Sequence, residues 1–110
     1  MKFLFSFVLL LLSCNNYDDN KIIELLQSSQ KEDVIKGTFL AGENGDKKFI
    51  PYLLDNMNDV RTSTNLYFKG YNVYQQKMIA LRKILKVPLP VDLTSDPDSV
   101  IINFYIKKAN

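Results

Sequence analysis

The chain has 110 residues, of which 46% are hydrophobic and 24% are charged, which is the composition of one small globular domain. With 14 Lys and Arg against 12 Asp and Glu, its net charge is +2, and nucleic-acid-binding proteins usually carry a more strongly basic domain or face. It has no His and one Cys. The usual zinc sites, catalytic arrangements that need His and an internal disulfide are therefore excluded, and we expect no metal, no cofactor and no nucleic-acid partner.

The first 13 residues have the pattern of a secretory signal peptide. Lys2 precedes an apolar run over residues 3–12 that only Ser6 interrupts. The run is too short to span a bilayer, which takes about 20 apolar residues. A positive start followed by about 7–15 apolar residues is typical of an export signal, so a signal peptide is predicted over residues 1–13.

Residues Leu11, Leu12, Ser13 and Cys14 resemble the lipobox that ends the signal peptides of bacterial lipoproteins. The resemblance implies cleavage before Cys14, transfer of diacylglycerol to its thiol and acylation of the new amino group. A chain with such lipids is anchored to a membrane rather than inserted in it. The polar residues that follow are predicted to form, with Cys14, a lipidated tether over residues 14–20.

The residues after Cys14 also bear on localisation. Asn15 stands where the sorting rule of bacterial lipoproteins associates an Asp with retention in the inner membrane. Asp18 and Asp19 resemble the acidic surface-export signals of other lipoproteins. These resemblances imply a lipid-anchored protein of the bacterial cell envelope, with the outer membrane or cell surface favoured over the inner membrane.

The spacing of apolar residues predicts an all-α fold of four to five helices over residues 21–110. A short first helix is expected to begin at Asp18 or Asp19 as its cap. Its apolar residues are Ile22, Ile23, Leu25 and Leu26.

The second helix is predicted over about residues 30–43, because Ser29 and Glu32 have the spacing of a capping box. Gly37 lies inside this helix at a cost of about 1 kcal/mol relative to Ala, which a close approach of another helix would explain. The expected buried stripe consists of Val34, Ile35, Thr38, Phe39 and Gly42.

A tight turn is predicted at residues 44–46, in which Gly45 takes a positive φ and Asp46 caps the next helix. The third helix carries a similar apolar stripe, so the second and third helices are expected to form a hairpin. Pro51 lies near its first turn, where a missing N–H is tolerated. The stripe consists of Phe49, Ile50, Leu53, Leu54 and Met57.

Residues 58–72 lack a helical period and are predicted to form a long loop with a brief extended piece. The fourth helix is predicted over about residues 72–86, with Arg82, Lys83 and Lys86 at the end where cations complement the helix dipole. Its apolar residues are Val73, Tyr74, Met78, Ala80, Leu81, Ile84 and Leu85.

Pro88 and Pro90 end the fourth helix and predict an extended linker. Asp96 followed by Pro97 predicts the start of a fifth helix, with Asp96 as the cap and Pro97 at the first helical position. Its expected docking stripe consists of Val100, Ile101, Phe104 and Tyr105.

Short motifs are spread over the segment from residue 31 to residue 85: Ile35-Lys36-Gly37, Leu40-Ala41-Gly42, Gly45-Asp46, Ile50-Pro51-Tyr52-Leu53, Asp59-Val60-Arg61 and Ala80-Leu81-Arg82-Lys83-Ile84. Together they resemble the pattern of HEAT repeats, which implies a helical scaffold with a concave binding face rather than a catalytic reaction. The chain departs from that pattern at residues 62–71, which delay the next helix. It also has room for fewer than the three repeats that such arrays usually need, so the first and fifth helices would act as caps.

The carboxylates allow one enzymatic interpretation. Asp55 and Asp59 have i, i+4 spacing, and Asp92, Asp96 and Asp98 lie in the linker. Acid–base catalysis needs such a pair beside a pocket that separates their pKa values. The sequence contains no phosphate-binding loop and no nucleophile motif, so we expect a protein that is not an enzyme, with a carboxylate-dependent hydrolase as an alternative.

Aromatic, basic and amide side chains alternate in the long loop and at the start of the fourth helix. These residue types dominate protein-binding hot spots and also stack on sugars. A long loop in a small domain is more often functional than idle, although its aromatics could instead serve to cover the core. The candidate binding residues are Arg61, Asn65, Tyr67, Lys69, Tyr71 and Tyr74.

The sequence therefore predicts a non-enzymatic envelope lipoprotein that is held at a membrane by the lipid on Cys14 and binds another protein through residues 58–75. A more specific form of this hypothesis is an immunity protein that protects the cell that produces it against a toxin acting in the envelope. A glycan or lipid binder is a further alternative, and the sequence leaves the oligomeric state open.

Overall fold

The computed structural model describes residues 17–110, so the predicted signal peptide and Cys14 lie outside the described residues. This part contains five α-helices. No strand occurs among these residues, only an isolated antiparallel bridge between Thr62 and Asn72. The predicted all-α fold of four to five helices is confirmed. The helices are α1 (Asp19–Leu26), α2 (Lys31–Asn44), α3 (Ile50–Leu54), α4 (Val73–Leu85) and α5 (Ser99–Ala109).

The cap of α1 is one of the two that the sequence predicts. The Asp18 carboxylate accepts a hydrogen bond from the Lys21 amide at 2.8 Å, so the helix begins at Asp19. Tyr17 packs against the main core, and the Lys36 ammonium lies 4.5 Å from the centroid of its ring. The folded domain therefore begins at Tyr17 or before it, within the range of residues 14–20 that was predicted as a tether.

The start of α2 differs from the prediction in its cap. Gln30 is the N-cap, and its side chain makes no capping hydrogen bond. The capping box of Ser29 and Glu32 is wrong, because the Glu32 carboxylate turns to the long loop and accepts from the Ser63 hydroxyl at 2.5 Å. The end of α2 follows the prediction, since Gly45 has a φ of 80°.

Two glycines allow neighbouring helices to approach α2 closely. A Cβ on Gly37 would lie 2.8 Å from the Cβ of Leu25 and 2.9 Å from the backbone nitrogen of Leu26, so α1 packs directly on this glycine. A Cβ on Gly42 would lie 3.1 Å from the Cα of Ala80 in α4. The predicted close approach at Gly37 is confirmed, and Gly42 serves the same purpose toward α4.

The third helix is shorter than the sequence predicts. A 3₁₀ turn (Lys47–Phe49), capped by Asp46, precedes α3, and Pro51 stands in the first turn of α3. The chain leaves the helix at Asp55 and takes a φ of 49° at Asn56. The short α3 packs against α4 and α1. The main neighbours of α2 are also α4 and α1, so α2 and α3 make little of the contact that a helical hairpin would have.

The N-terminus of α4 is closed by a capping box that the sequence analysis missed. Asn72 accepts from the Gln75 amide at 2.8 Å, and the Gln75 side chain accepts from the Asn72 amide at 3.0 Å. A helix leaves its first four amides without a partner in the helix. All four are bonded here: Asn72 N to Gln75 Oε1, Val73 N to Arg61 O, Tyr74 N to Asp59 O and Gln75 N to Asn72 Oδ1.

The start of α5 lies two residues beyond the predicted one. Asp98, not Asp96, is the N-cap, and its carboxylate accepts from the Val100 amide at 2.8 Å. A tertiary contact explains this difference. The Asp98 amide donates to the hydroxyl of Tyr74 at 3.1 Å, which fixes Asp98 at the point where the helix begins. Pro97 therefore precedes the cap instead of occupying the first helical turn.

The helices share one main core, and a smaller cluster lies beneath the long loop. α5 docks on the main core through buried Ile101 and Tyr105, whereas Val100, also expected to dock, is exposed. None of the described helices is long and apolar enough to cross a membrane. The smaller cluster consists of Val34, Ile35, Phe68 and Val73. Large buried side chains of the main core include Phe49, Leu53, Tyr74, Met78, Leu81 and Tyr105.

Candidate functional site

A groove of about 330 Å³ opens between α2, α4, the loop of residues 58–72 and the linker of residues 86–98. Its size falls at the lower end of the range of about 300–1,000 Å³ that is usual for ligand pockets. Apolar residues of α4 and of the linker complete its walls. The lining side chains with aromatic or polar groups are Thr38, Phe39, Tyr67, Phe68, Lys69, Tyr71, Gln76, Arg82 and Lys83.

The structure brings part of the predicted site together at this groove. Tyr67, Lys69 and Tyr71 line it. Asn65 is exposed and acts as a cap, because its side-chain oxygen accepts from the Tyr67 amide at 2.9 Å and so starts the 3₁₀ turn Leu66–Phe68. Three of the six candidates thus face one concave surface, and a fourth fixes the turn that carries Tyr67.

Arg61 lies outside the lining and is engaged within the domain. Its Nε and Nη2 bond the Asp59 carboxylate at 3.0 and 2.7 Å, and its Nη1 donates to the Ser29 carbonyl at 2.8 Å. Hydrogen bonds from the Arg61 side chain hold the pKa of the Asp59 carboxyl below its usual value. Arg61 therefore fastens the start of the loop to the turn between α1 and α2.

Tyr74 does not belong to the surface. Its exposed fraction is 0%, and its hydroxyl accepts from the Asp98 amide. Burial raises the pKa of this phenol. The prediction that Tyr74 contacts a partner is therefore wrong, because the helical spacing of α4 turns this ring into the core, where it positions the start of α5.

Side-chain hydrogen bonds hold the loop in a defined conformation. Glu32 of α2 accepts from the Ser63 hydroxyl at 2.5 Å and from the Thr64 amide at 3.3 Å. The Ser63 hydroxyl also accepts from the Asn65 amide at 2.9 Å, and the isolated bridge closes the base of the loop. The loop is thus tied to α2 at its middle as well as closed at its base.

Tyr67 stands on an aromatic cluster at the rim of the groove. Its ring meets Phe39 edge to face at 5.4 Å between centroids and meets Phe68 in the same way at 5.2 Å. Such pairs are attractive beyond the area that they bury. Tyr67 nevertheless stays 65% exposed, and Leu66 beside it is 91% exposed. Two adjacent large side chains therefore face solvent from a turn that is fixed from below.

The charges of the groove have one sign, since its lining contains Lys69, Arg82 and Lys83 and no acidic residue. The Lys83 ammonium bonds Glu43 at 2.5 Å and lies 5.6 Å from the ring centroid of Phe39. In residues 17–110, Lys69 and Arg82 form no ion pair. Two cationic side chains of the groove thus remain available to an anionic group.

One residue beside the groove carries an unusual buried polar group. Thr38 has an exposed fraction of 0%, and its hydroxyl oxygen has no hydrogen-bond partner. It is the one buried side-chain polar atom in the described part of the chain of which this is true. A buried hydroxyl without a partner costs free energy, so this atom weakens the domain.

The carboxylates considered for catalysis do not gather at one pocket. The Asp59 carboxylate is bound by Arg61, and that of Asp98 caps α5. None of the five candidates lines the groove. Within residues 17–110, no group of three or more His, Cys, Asp or Glu residues is placed to hold a metal ion. The five are Asp55, Asp59, Asp92, Asp96 and Asp98.

The residues predicted from the sequence lie on the loop side of the groove, and the residues on its helical side were not predicted. Gln76, Ala80 and Lys83 have i, i+4, i+7 spacing, so their common face on α4 was visible in the sequence. That the loop packs beside this face depends on tertiary contacts.

Comparison with known protein families, curated proteins and solved structures finds no match to this chain.

Proposed function

We propose that this protein is a lipid-anchored protein of the bacterial cell envelope that binds another protein through the loop of residues 58–72. The observation that carries the proposal is the pair Leu66 and Tyr67, which are 91% and 65% exposed on an ordered turn. Large side chains in such a setting are typical anchors of protein interfaces. Because the loop is already held by Glu32, binding would order few groups and lose little conformational entropy.

The anchor part of the proposal rests on the lipobox-like residues that end at Cys14. The folded domain includes Tyr17, so only residues 15 and 16 separate it from the lipidated position. An extended chain spans at most about 3.3–3.6 Å per residue, so Tyr17 is within about 10 Å of Cys14, and a lipid on Cys14 would hold the domain close to the membrane surface. A domain confined so closely to a membrane meets partners on that surface at a raised effective concentration.

Capture from native membranes tests both parts. The protein is tagged at its carboxyl terminus and crosslinked, and the captured proteins are identified by mass spectrometry. We expect one dominant partner that is lost when Leu66→Ser and Tyr67→Ser are combined and kept by Val100→Ser, which changes an exposed apolar residue of α5. In the same cells, Cys14→Ser should release the protein from the membrane fraction.

Equal capture by the wild type and the loop variant would contradict the binding surface, and an unchanged membrane fraction of Cys14→Ser would contradict the anchor. If the captured partner is a toxin that acts in the envelope, the protein is an immunity protein.

A glycan binder is the second candidate, because Tyr67, Tyr71 and Gln76 supply the stacking and hydrogen-bonding groups that sugars use. Quenching of tyrosine fluorescence by envelope glycans, together with no specific protein capture, would favour it.

A further inference from the structure

We propose that the groove receives an acidic segment of the protein partner, whose carboxylate pairs with Lys69 or Arg82 while a neighbouring apolar side chain packs against Tyr67 and Phe39. This proposal rests on the proposed function and names the chemistry of the partner at that same surface.

The charge of the groove is the first argument. Lys83 is already paired with Glu43, whereas Lys69 and Arg82 form no ion pair with any described residue. The guanidinium of Arg82 presents a planar fork that binds a carboxylate through two hydrogen bonds. A concave site with apolar walls also focuses the positive potential of its rim. The groove is therefore complementary to an anion.

The aromatic wall is the second argument. Phe39 and Tyr67 meet edge to face at 5.4 Å, and Tyr67 is still 65% exposed, so one side of the groove offers apolar surface that the domain itself does not cover. An isolated inorganic anion would leave this wall exposed. A segment with an acidic and an apolar residue side by side uses both the wall and the cations.

The size of the groove limits what enters it. A volume of about 330 Å³ admits about one or two side chains and not a whole folded element. The Thr38 hydroxyl is completely covered, so the contacts are made by the other lining side chains. The neighbouring Leu66, outside the lining, then contacts the surface around the inserted segment.

Peptide titration tests the proposal on the folded domain. The probes are two acetylated and amidated hexapeptides, one alternating Leu with Glu and the other alternating Leu with Gln, and a galacturonate oligosaccharide serves as an acidic probe without a peptide backbone. We expect the acidic peptide to bind about tenfold more tightly than the Gln peptide and to weaken at higher salt.

Charge variants place the binding at the groove. Arg82→Gln combined with Lys69→Gln should lower the affinity for the acidic peptide about tenfold. Lys107→Gln combined with Lys108→Gln is the matched control, because it also removes two positive charges, here from the last turn of α5, and it should change the affinity by less than about twofold. Circular dichroism of each variant confirms that the helices are retained.

Several results would overturn the proposal. The first is equal affinity for the two peptides, and the second is no binding of the acidic peptide up to about 1 mM. The third is an equal loss of affinity in the double variant of Lys107 and Lys108, and the fourth is tighter binding of the galacturonate than of the acidic peptide. If one of these results is found while capture from membranes still depends on Leu66 and Tyr67, the proposed protein binding is retained. Only the proposal that the groove binds an acidic segment is then rejected. If that capture does not depend on them, the proposed function fails first.

Discussion

Thr38 combines complete burial with a hydroxyl that has no hydrogen-bond partner. Such a group costs free energy in the folded state, because in the unfolded chain it is bonded to water. Val has the same shape with a methyl in place of the hydroxyl. We therefore expect Thr38→Val to raise the free energy of unfolding by about 1 kcal/mol, measured by urea denaturation.

Thr38→Ser is the companion variant, since it keeps the hydroxyl and removes the buried methyl. It should lower the free energy of unfolding. A loss of stability in Thr38→Val would mean that the hydroxyl is bonded in the native protein.

Asp59 gives the domain an acid-dependent part of its stability. Arg61 bonds its carboxylate and holds its pKa below the ordinary value of 3.8. A carboxyl whose pKa is lowered by folding stabilises the native state above the unfolded pKa, and this contribution disappears as the pH falls through the folded pKa. Asp59→Asn should therefore lower stability at pH 7 and reduce its decline in acid.

Urea unfolding of the wild type and Asp59→Asn from neutral pH to about pH 2 measures this difference. Asp92→Asn is the control, because it removes an exposed carboxylate from the linker. Parallel pH curves for the wild type and Asp59→Asn would contradict the role of the Asp59–Arg61 pair.

At the level of elements, the long loop depends on one side chain of α2. Glu32 accepts from the Ser63 hydroxyl and the Thr64 amide, and both bonds join segments that are far apart in sequence. Glu32→Ala should free the loop while the main core, which contains none of these residues, stays folded. We expect faster hydrogen exchange at the amides of residues 63–69 and weaker partner capture.

Glu32→Gln removes the charge and keeps the shorter hydrogen bond, because its amide oxygen still accepts from the Ser63 hydroxyl, whereas its NH2 group cannot accept from the Thr64 amide. It should retain most of the exchange protection in the loop. Unchanged exchange in Glu32→Ala would show that the loop does not need this tie.

The helices that the sequence predicts well are those that local signals define. Asp18 caps α1, Gly45 ends α2, and the period of apolar residues marks α4. Even the close approach at Gly37 could be inferred, since an interior helical glycine is costly without a neighbour that needs the space.

The misplaced helix boundaries depend on contacts between distant segments. The Lys77 ammonium of α4 bonds the backbone carbonyl of Asp55, where the third helix has already ended. The Tyr74 hydroxyl fixes the start of α5 at Asp98 in a comparable way. Both interactions join residues more than twenty positions apart, so no local pattern reveals them.

The same distinction applies to the candidate site. Residue type and the length of the loop predict Tyr67, Lys69 and Tyr71 as binding residues, and the side chains of these three line the groove. The same signals also select Arg61 and Tyr74, whose polar groups instead bond other parts of the domain. Whether a polar side chain faces a partner or the protein's own backbone is decided by the tertiary structure.

At the scale of the whole molecule, we propose that one domain combines a lipid tether with one exposed binding surface. The loop and groove lie on elements fixed to the main core through α4, so the surface moves with the domain. The lipid proposed at Cys14 would hold this domain near a membrane, and the partner is expected there rather than in free solution.

The most direct measurement is site-specific photocrosslinking in native membranes. A photoreactive amino acid replaces Leu66 in one variant and Val100 in another, and both positions are exposed apolar sites in the same domain. We predict one discrete crosslinked protein from position 66 and none from position 100. Identical products from both positions, or no product from position 66 while the protein is folded and membrane-bound, would contradict it.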